Sequence, residues 1–257
     1  PSPLEIGRNR GVDVGMVGDV TSIVDQLTKE ASNYQWKELP WIEELRAVRA
    51  AQAKWAEDLV GRTAPMHALY VHKTLKSILK PDDCLIFDGG DFCHFGRSYL
   101  PAVKPKRWLN VSSLGMLGSS LPSALAAKVA YPDSRVFVLS GDGAFGFHAM
   151  EFDTAVRHKL NVVEIVGNDS AWGIDRQIQL GLYGRPVATD LLQTRYDEAV
   201  KGLGGYGEFV ERAEDLAPAL ERALASGKPA LLNVAIERAI SPRAEAAIGR
   251  RKTAAPK

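Results

Sequence analysis

With 257 residues, 46% hydrophobic and 25% charged, the chain has the composition of a globular protein large enough to bury a real core. A net charge of +1 argues neither for nucleic acid nor for an acidic surface partner, and no apolar run approaches the roughly 18 residues of a membrane span. Cys84 and Cys93 form no CxxC pair and no metal-ligand spacing, so idle thiols in a reduced, cytoplasmic setting are expected.

In chain order, the first twenty residues read as the last strand and turn of a domain already under way, with 1–31 as its end. Asp19 is placed as the N-cap of a helix to Ala31 whose Val20, Ile23, Val24 and Leu27 share one face. Polar residues 32–39 and Pro40 form a linker, and Trp41 to Val60 is a periodic connecting helix, so 32–64 joins two regions. The main domain is expected over 65–236. It opens with a helix from Pro65 to Lys80, on which His67 and His72, five apart, share no face and read as surface or packing residues. A strand at Cys84 to Asp88 ends in Gly89-Gly90-Asp91 and feeds a helix from Phe92 to Tyr99. Arg107 to Val111 is a short strand, followed by the loop Ser112-Ser113-Leu114-Gly115-Met116-Leu117-Gly118 and a small-residue helix from Ser119 to Tyr131.

The densest stretch follows. Arg135 to Leu139 reads as a buried strand ending in Gly141-Asp142-Gly143, Phe147 to His158 as a helix, and Asn161 to Val166 as a second buried strand ending in Gly167-Asn168-Asp169. Strand–loop–helix–strand is the pattern of a parallel α/β unit, which places both polar turns at carboxyl ends of strands, where ligands bind. Glycines beside Asp142 let the backbone approach a ligand and offer N–H groups to phosphate oxygens. Asp142 and Asp169 are hard oxygen donors suited to Mg2+. Glu151, His148 and His158 read as structural. Residues 180–192, with Gly181, Gly184 and Pro186, read as a mobile loop. A helix (Tyr196 to Leu203), a strand (Tyr206 to Val210), a helix (Glu214 to Ala225) and a strand (Ala230 to Ile236) close the fold. The basic tail, 237–257, carries Arg238, Arg243, Arg250, Arg251, Lys252 and Lys257. It reads as a solvated terminus or as a source of arginines for phosphate groups.

The GDG turn, the Asn-Asp turn a mid-twenties gap later and Trp172-Gly173 together resemble the signature of enzymes dependent on thiamine diphosphate (ThDP). The resemblance implies that Mg2+ is held by Asp142, Asp169 and the backbone oxygen of Ala171, with Gly141, Gly143, Ala144, Trp172 and Gly173 around the cofactor. Asp169 stands where the family usually has Asn, which keeps an oxygen donor and adds negative charge. The 89–91 turn resembles one that touches the diphosphate, a role implied for the Gly90 amide; Asp91 would repel the diphosphate unless paired, and His94 is a weaker candidate. The loop at 112–118 resembles the GLGTMG-type loop of the acetolactate-synthase-like branch. It implies Leu117 as the wedge beneath a bent cofactor and the Gly115 carbonyl as acceptor for the aminopyrimidine. The opening EIGRNRGVDVGMVGD resembles the end of that branch's central, Rossmann-like domain.

The implied fold is α/β, a doubly wound, mostly parallel sheet preceded by the end of a central domain. The implied activity is a ThDP-dependent C–C lyase or carboligase acting on 2-hydroxyacyl-CoA or related 2-hydroxy and 2-oxo compounds. Trp172 either shapes a substrate wall or packs. Ile174, Asp175 and Ile178 depart from the acetolactate-synthase pattern, and Trp-Gly looks more like benzaldehyde lyase and 2-hydroxyacyl-CoA lyases. The alternatives are an acetolactate-synthase-type enzyme using pyruvate, with FAD in the central domain, and a non-catalytic assembly module. The activating glutamate of the family has no match here. The resemblance therefore implies a pyrimidine-binding domain or subunit as partner, in a homo- or hetero-oligomeric dimer or tetramer.

Overall fold

A computed structural model describes residues 2–102, 104–111 and 114–254, with 252–254 as backbone only. Ser112 and Ser113 of the loop, the Lys252 side chain and Lys257 lie outside the described residues. The chain divides into two compact units, 1–52 and 53–257.

The first unit contains a 3-10 turn at Pro3–Glu5, helix α1 (Val20–Ala31) and the first part of helix α2 (Pro40–Val60). Asp19 caps α1, its carboxylate accepting the Ser22 N–H at 2.9 Å. The strand expected before it does not form: residues 6–19 run as turns and bends, because an extended segment needs a neighbouring strand to bond its backbone and none lies beside it among the described residues.

The second unit continues through α3 (Ala68–Ile78), β1 (Cys84–Phe87), α4 (Gly90–Tyr99), β2 (Trp108–Asn110), α5 (Ser120–Ala130), β3 (Val136–Gly141), α6 (Asp142–Phe145), α7 (Glu151–Arg157), β4 (Val163–Asn168) and α8 (Gly173–Tyr183). It ends with α9 (Tyr196–Gly202), β5 (Tyr206–Val210), α10 (Ala213–Ala225), β6 (Ala230–Ala235) and α11 (Pro242–Ala254). The six strands form one sheet in the order β2-β1-β3-β4-β6-β5, every pairing parallel.

The inner strands β1, β3, β4 and β6 are largely apolar on both faces because helices cover both. Leu85, Phe87, Phe137, Leu139, Val163 and Ile165 meet Leu69 and Leu75 of α3, Phe92 and Phe95 of α4, and Leu216 and Leu220 of α10. The alternate residues Cys84, Ile86, Val136, Val138 and Val166 meet Leu121 and Leu125 of α5 and Phe152 of α7. The period of two thus sorts each strand between two cores. The winding reverses between β1 and β3, and the carboxyl ends at such a switch point form a crevice.

Three segments of this unit differ from expectation. Residues 147–150 are turn, so the helix after the GDG turn begins at Glu151, and a separate short helix, α6, starts at Asp142 itself. The supposed mobile loop is helical to Tyr183, and the segment after it is tied down. Thr189 O accepts the Trp172 N–H and Ser170 O accepts the Leu191 N–H, each at 2.8 Å. The tail from Pro242 is a helix packed on α8 and α4. No helix among the described residues is long and apolar enough to cross a membrane.

Candidate functional site

The register of β3 and β4 pairs Gly141 with Gly167, so the two polar turns emerge side by side. Asp142 heads α6, and its Oδ2 accepts the Ala171 N–H at 3.1 Å, fastening one turn to the other. Asn168 orders its own turn: Oδ1 accepts the Ser170 N–H at 3.1 Å while Nδ2 donates to Asn233 Oδ1 at 3.0 Å.

One cleft gathers Gly90, Leu117, Gly141, Asp142, Gly143, Ala144, Asp169, Ala171, Trp172 and Gly173. Of the residues singled out from sequence, Gly115 lies apart from it, lining the adjoining cavity with His94. Two glycines are fixed by close approach. A Cβ on Gly89 would overlap Leu117 Cδ2, so the wedge candidate lies directly over the end of β1. A Cβ on Gly143 would stand 2.8 Å from the Trp172 ring, which covers the GDG turn and meets Phe147 edge-on at 5.7 Å. Trp172 therefore both packs and walls the cleft.

The Asp142 and Asp169 carboxyls share this cleft. Burial first, then Asp142, pushes the Asp169 carboxyl up to about 7; burial pushes Asp142 up to about 6. A buried and a half-buried carboxylate that disfavour each other's charge are a donor pair whose ionised form a divalent ion would stabilise. No group of three or more His, Cys, Asp or Glu among the described residues could hold a metal by itself, so a metal here needs oxygen from backbone, water or phosphate as well. Mg2+ characteristically takes such a mixed shell. The residues present fit both the ion and a diphosphate.

Arg238 was legible only as part of a basic tail. It donates through Nε to Asp169 O at 2.9 Å and through Nη2 to Ser170 O at 2.8 Å, and Nη1 pairs with Asp190. Its charge lowers both aspartate pKa values and so offsets part of the excess negative charge. Asp91 also lines the cleft, but its Oδ1 is engaged at the start of α11, where it accepts the Ser241 N–H at 3.1 Å. Burial pushes its carboxyl up, which weakens the repulsion of a diphosphate foreseen for it.

Sequence reasoning passed over Asp88. Buried at the end of β1, it accepts the N–H groups of Gly89 at 2.8 Å, Gly118 at 3.1 Å and Ser120 at 3.2 Å, and so anchors the Leu117 loop. An acid closing an apolar strand before a Gly-Gly turn was the available signal.

Residues 88–234 match the family model described as thiamine pyrophosphate enzyme, C-terminal TPP binding domain. The chain is 42% identical over 229 residues to the acetolactate synthase large subunit IlvG of Mycobacterium tuberculosis, covering 88% of this chain and 41% of that protein. It is 36% identical over 237 residues to 2-hydroxyacyl-CoA lyase 2 of Caenorhabditis elegans (87% and 37%) and 32% identical over 228 residues to 2-hydroxyacyl-CoA lyase 2 of Homo sapiens (86% and 36%). The chain thus spans about two fifths of the length of these relatives.

Proposed function

The chain belongs to the thiamine pyrophosphate enzyme family, carrying its C-terminal TPP-binding domain, and from that premise we propose that it supplies the diphosphate- and Mg2+-binding half of a ThDP-dependent C–C lyase or carboligase acting on 2-hydroxyacyl-CoA or related 2-hydroxy and 2-oxo compounds. The observation that carries the reading is the facing pair Asp142 and Asp169 in one cleft with Gly90 and Leu117.

ThDP, when bound, supplies the electron sink that lets a C–C bond be made or broken. This chain's residues hold and orient it. Asp142 and Asp169 would hold the cation, and the Gly90 amide would serve the diphosphate. Leu117, on a loop that Asp88 anchors, would set the bend of the cofactor. Trp172 closes one side of the cleft, and Arg238 fixes the turn that carries Asp169. A pyrimidine-binding domain or subunit, met across an oligomer interface, completes the site in this reading.

The choice of lyase over synthase is supported by Ile174 and Asp175, which depart from the acetolactate-synthase pattern, and by the lyase-like Trp172-Gly173 pair, all in the wall of the cleft. The 42% identity to the mycobacterial acetolactate synthase supports the second reading, carboligation of pyruvate. The full-length enzyme loaded with Mg2+ and ThDP separates them. It is offered pyruvate or a 2-hydroxyacyl-CoA, and products are read by mass spectrometry. Formyl-CoA with an aldehyde or ketone is the expected outcome; acetolactate from pyruvate would replace the first reading with the second.

A further inference from the structure

Two acids inside the second unit share one basic neighbour. Asp88 follows β1 and Glu164 stands within β4, both fully buried. Among the described residues, the only basic group within ion-pair distance of either carboxylate is His148, itself buried. Its Nε2 donates to Glu164 Oε1 at 2.8 Å. Its Nδ1 faces Asp88 Oδ2 at 3.9 Å, too far for a hydrogen bond but within reach of charge. None of the three lines the cofactor cleft or the cavity beside it.

The carboxylate that faces His148 is the one that gathers the Leu117 loop. Asp88 Oδ1 accepts the Gly89 N–H at 2.8 Å, and Oδ2 accepts those of Gly118 at 3.1 Å and Ser120 at 3.2 Å. Gly118 also abuts the histidine's own segment: its φ is +82°, and a Cβ there would stand 2.5 Å from Phe147 Cβ. A carboxylate that accepts with both oxygens is a buried negative charge, which a cation beside it offsets. Burial disfavours a charged His148, but Glu164, then Asp88 and the Gly118 main chain, outweigh it and raise its pKa. The groups around the cluster leave that role to the histidine. Cys93 on α4 donates to Leu139 O at 3.0 Å, and burial, with Asp88 and Glu164, raises its pKa and keeps it a thiol. Ser140 on β3 donates to Glu164 Oε1 at 2.6 Å, and Phe145 on α6 meets the imidazole edge-on at 5.5 Å. Arg97 on α4 reaches Asp88 at its main-chain oxygen.

We propose that His148 and Glu164 are positioning residues for the Leu117 loop, acting through Asp88. Glu164 holds the ring and keeps a proton on both of its nitrogens. The imidazolium then steadies the Asp88 carboxylate where it gathers the Gly89, Gly118 and Ser120 amides. The pair acts on the rings of the cofactor, which Leu117 meets, and not on its diphosphate or cation. That functional half rests on the neighbouring cleft being the cofactor site.

The test uses the full-length enzyme as wild type, His148→Gln and Glu164→Gln. Gln at 148 can still donate to Glu164 but carries no charge, and Gln at 164 keeps the shape of the acid. Either variant serves if the other impairs folding. Amide hydrogen exchange is read over 118–120, and ThDP and inorganic pyrophosphate, each with Mg2+, are titrated calorimetrically from pH 7 to pH 9. In both variants, exchange at Gly118 and Ser120 is expected to quicken and ThDP binding to weaken, each by roughly 10-fold. Pyrophosphate affinity should match wild type. As pH rises and His148 loses its proton, ThDP binding by wild type should fall toward that of the variants, a decline that His148→Gln lacks. Unchanged exchange at 118–120 overturns the proposal. So does an equal loss of ThDP and pyrophosphate affinity, which a general loss of stability would give. Faster exchange with ThDP affinity intact upholds the positioning and overturns Leu117 as the wedge. Failure of wild type to bind ThDP, with exchange at 118–120 still dependent on His148, overturns the cofactor reading alone.

Discussion

His148 Nε2 lies 2.8 Å from Glu164 Oε1 in the interior of the second unit, with both side chains buried. Ser140 Oγ donates to the same carboxylate oxygen at 2.6 Å, and Asp88 stands 3.9 Å from the other ring nitrogen. Burial alone would lower the His148 pKa, but Glu164 and then Asp88 outweigh it and raise it. The pair joins β4 to the segment after the GDG turn, beneath the loop that Asp88 anchors. Removing Glu164 alone takes the closer acid from the buried His148 ring and leaves only Asp88, 3.9 Å away, to offset a proton there. We expect Glu164→Ala to cost about 3–5 kcal/mol, and the double change His148→Phe with Glu164→Leu to recover most of it. Denaturant midpoints of the full-length enzyme measure both. A raised histidine pKa stabilises fully below about 6.5 and the benefit fades as pH climbs through the folded value, so the double variant should lose that alkaline decline.

Asp142 and Asp169 are not equivalent donors if the cleft holds Mg2+. Asn at 169 keeps an oxygen for the metal and removes one of two repelling charges; Asn at 142 also alters the acceptor of the Ala171 N–H. Ligand at 100 times its Kd stabilises by about 2.7 kcal/mol. Wild type should therefore show a clear rise in Tm with Mg2+ and ThDP that a chelator abolishes. Asp142→Asn should lose the rise and Asp169→Asn should retain most of it. Equal retention in both would remove the cation from these residues.

Gly89 tests the wedge. Its missing Cβ leaves the space that Leu117 Cδ2 occupies, so Gly89→Ala must displace Leu117 or the end of β1. Overpacking of this kind costs about 1–3 kcal/mol. If the displacement falls on cofactor binding, ThDP affinity drops by roughly tenfold, and adding Leu117→Ala restores space without restoring affinity. Unchanged affinity in Gly89→Ala would separate Leu117 from the cofactor.

The strands and the two turns were legible because an apolar run ending in glycine carries its meaning locally: Val136–Gly141 and Val163–Asn168 fall close to where the pattern puts them. Helix α8 was not legible, because Gly181 looks like a loop residue. Its real constraint is tertiary: a Cβ there would stand 2.6 Å from Ile248 Cδ1 on α11. Glu164 offered a signal, a lone acid inside an apolar strand, but its partners Ser140 and His148 come from elsewhere in the chain. Arg238 bonds the 169–170 turn across nearly seventy residues, and no periodicity or spacing reports such a contact.

His72 gives the fold an acid limit. It is fully buried, its Nε2–H donates to Phe92 O at 2.9 Å, and Nδ1 has no hydrogen-bond partner among the described residues. Burial pushes its pKa down to about 4, and His67 is pushed to about 4 as well, again by burial first. Between the unfolded value near 6.5 and about 4, the unfolded chain takes up protons that the folded one refuses, so stability falls as pH falls through that window. Above it neither state is charged and the contribution is flat. Each such histidine steepens the decline by up to about 1.4 kcal/mol per pH unit. In His72→Gln, stability measured by urea unfolding from pH 7 to 4.5 should decline less steeply by about that amount, whatever its value at pH 7. An unchanged slope would mean that His72 takes its proton before the fold opens.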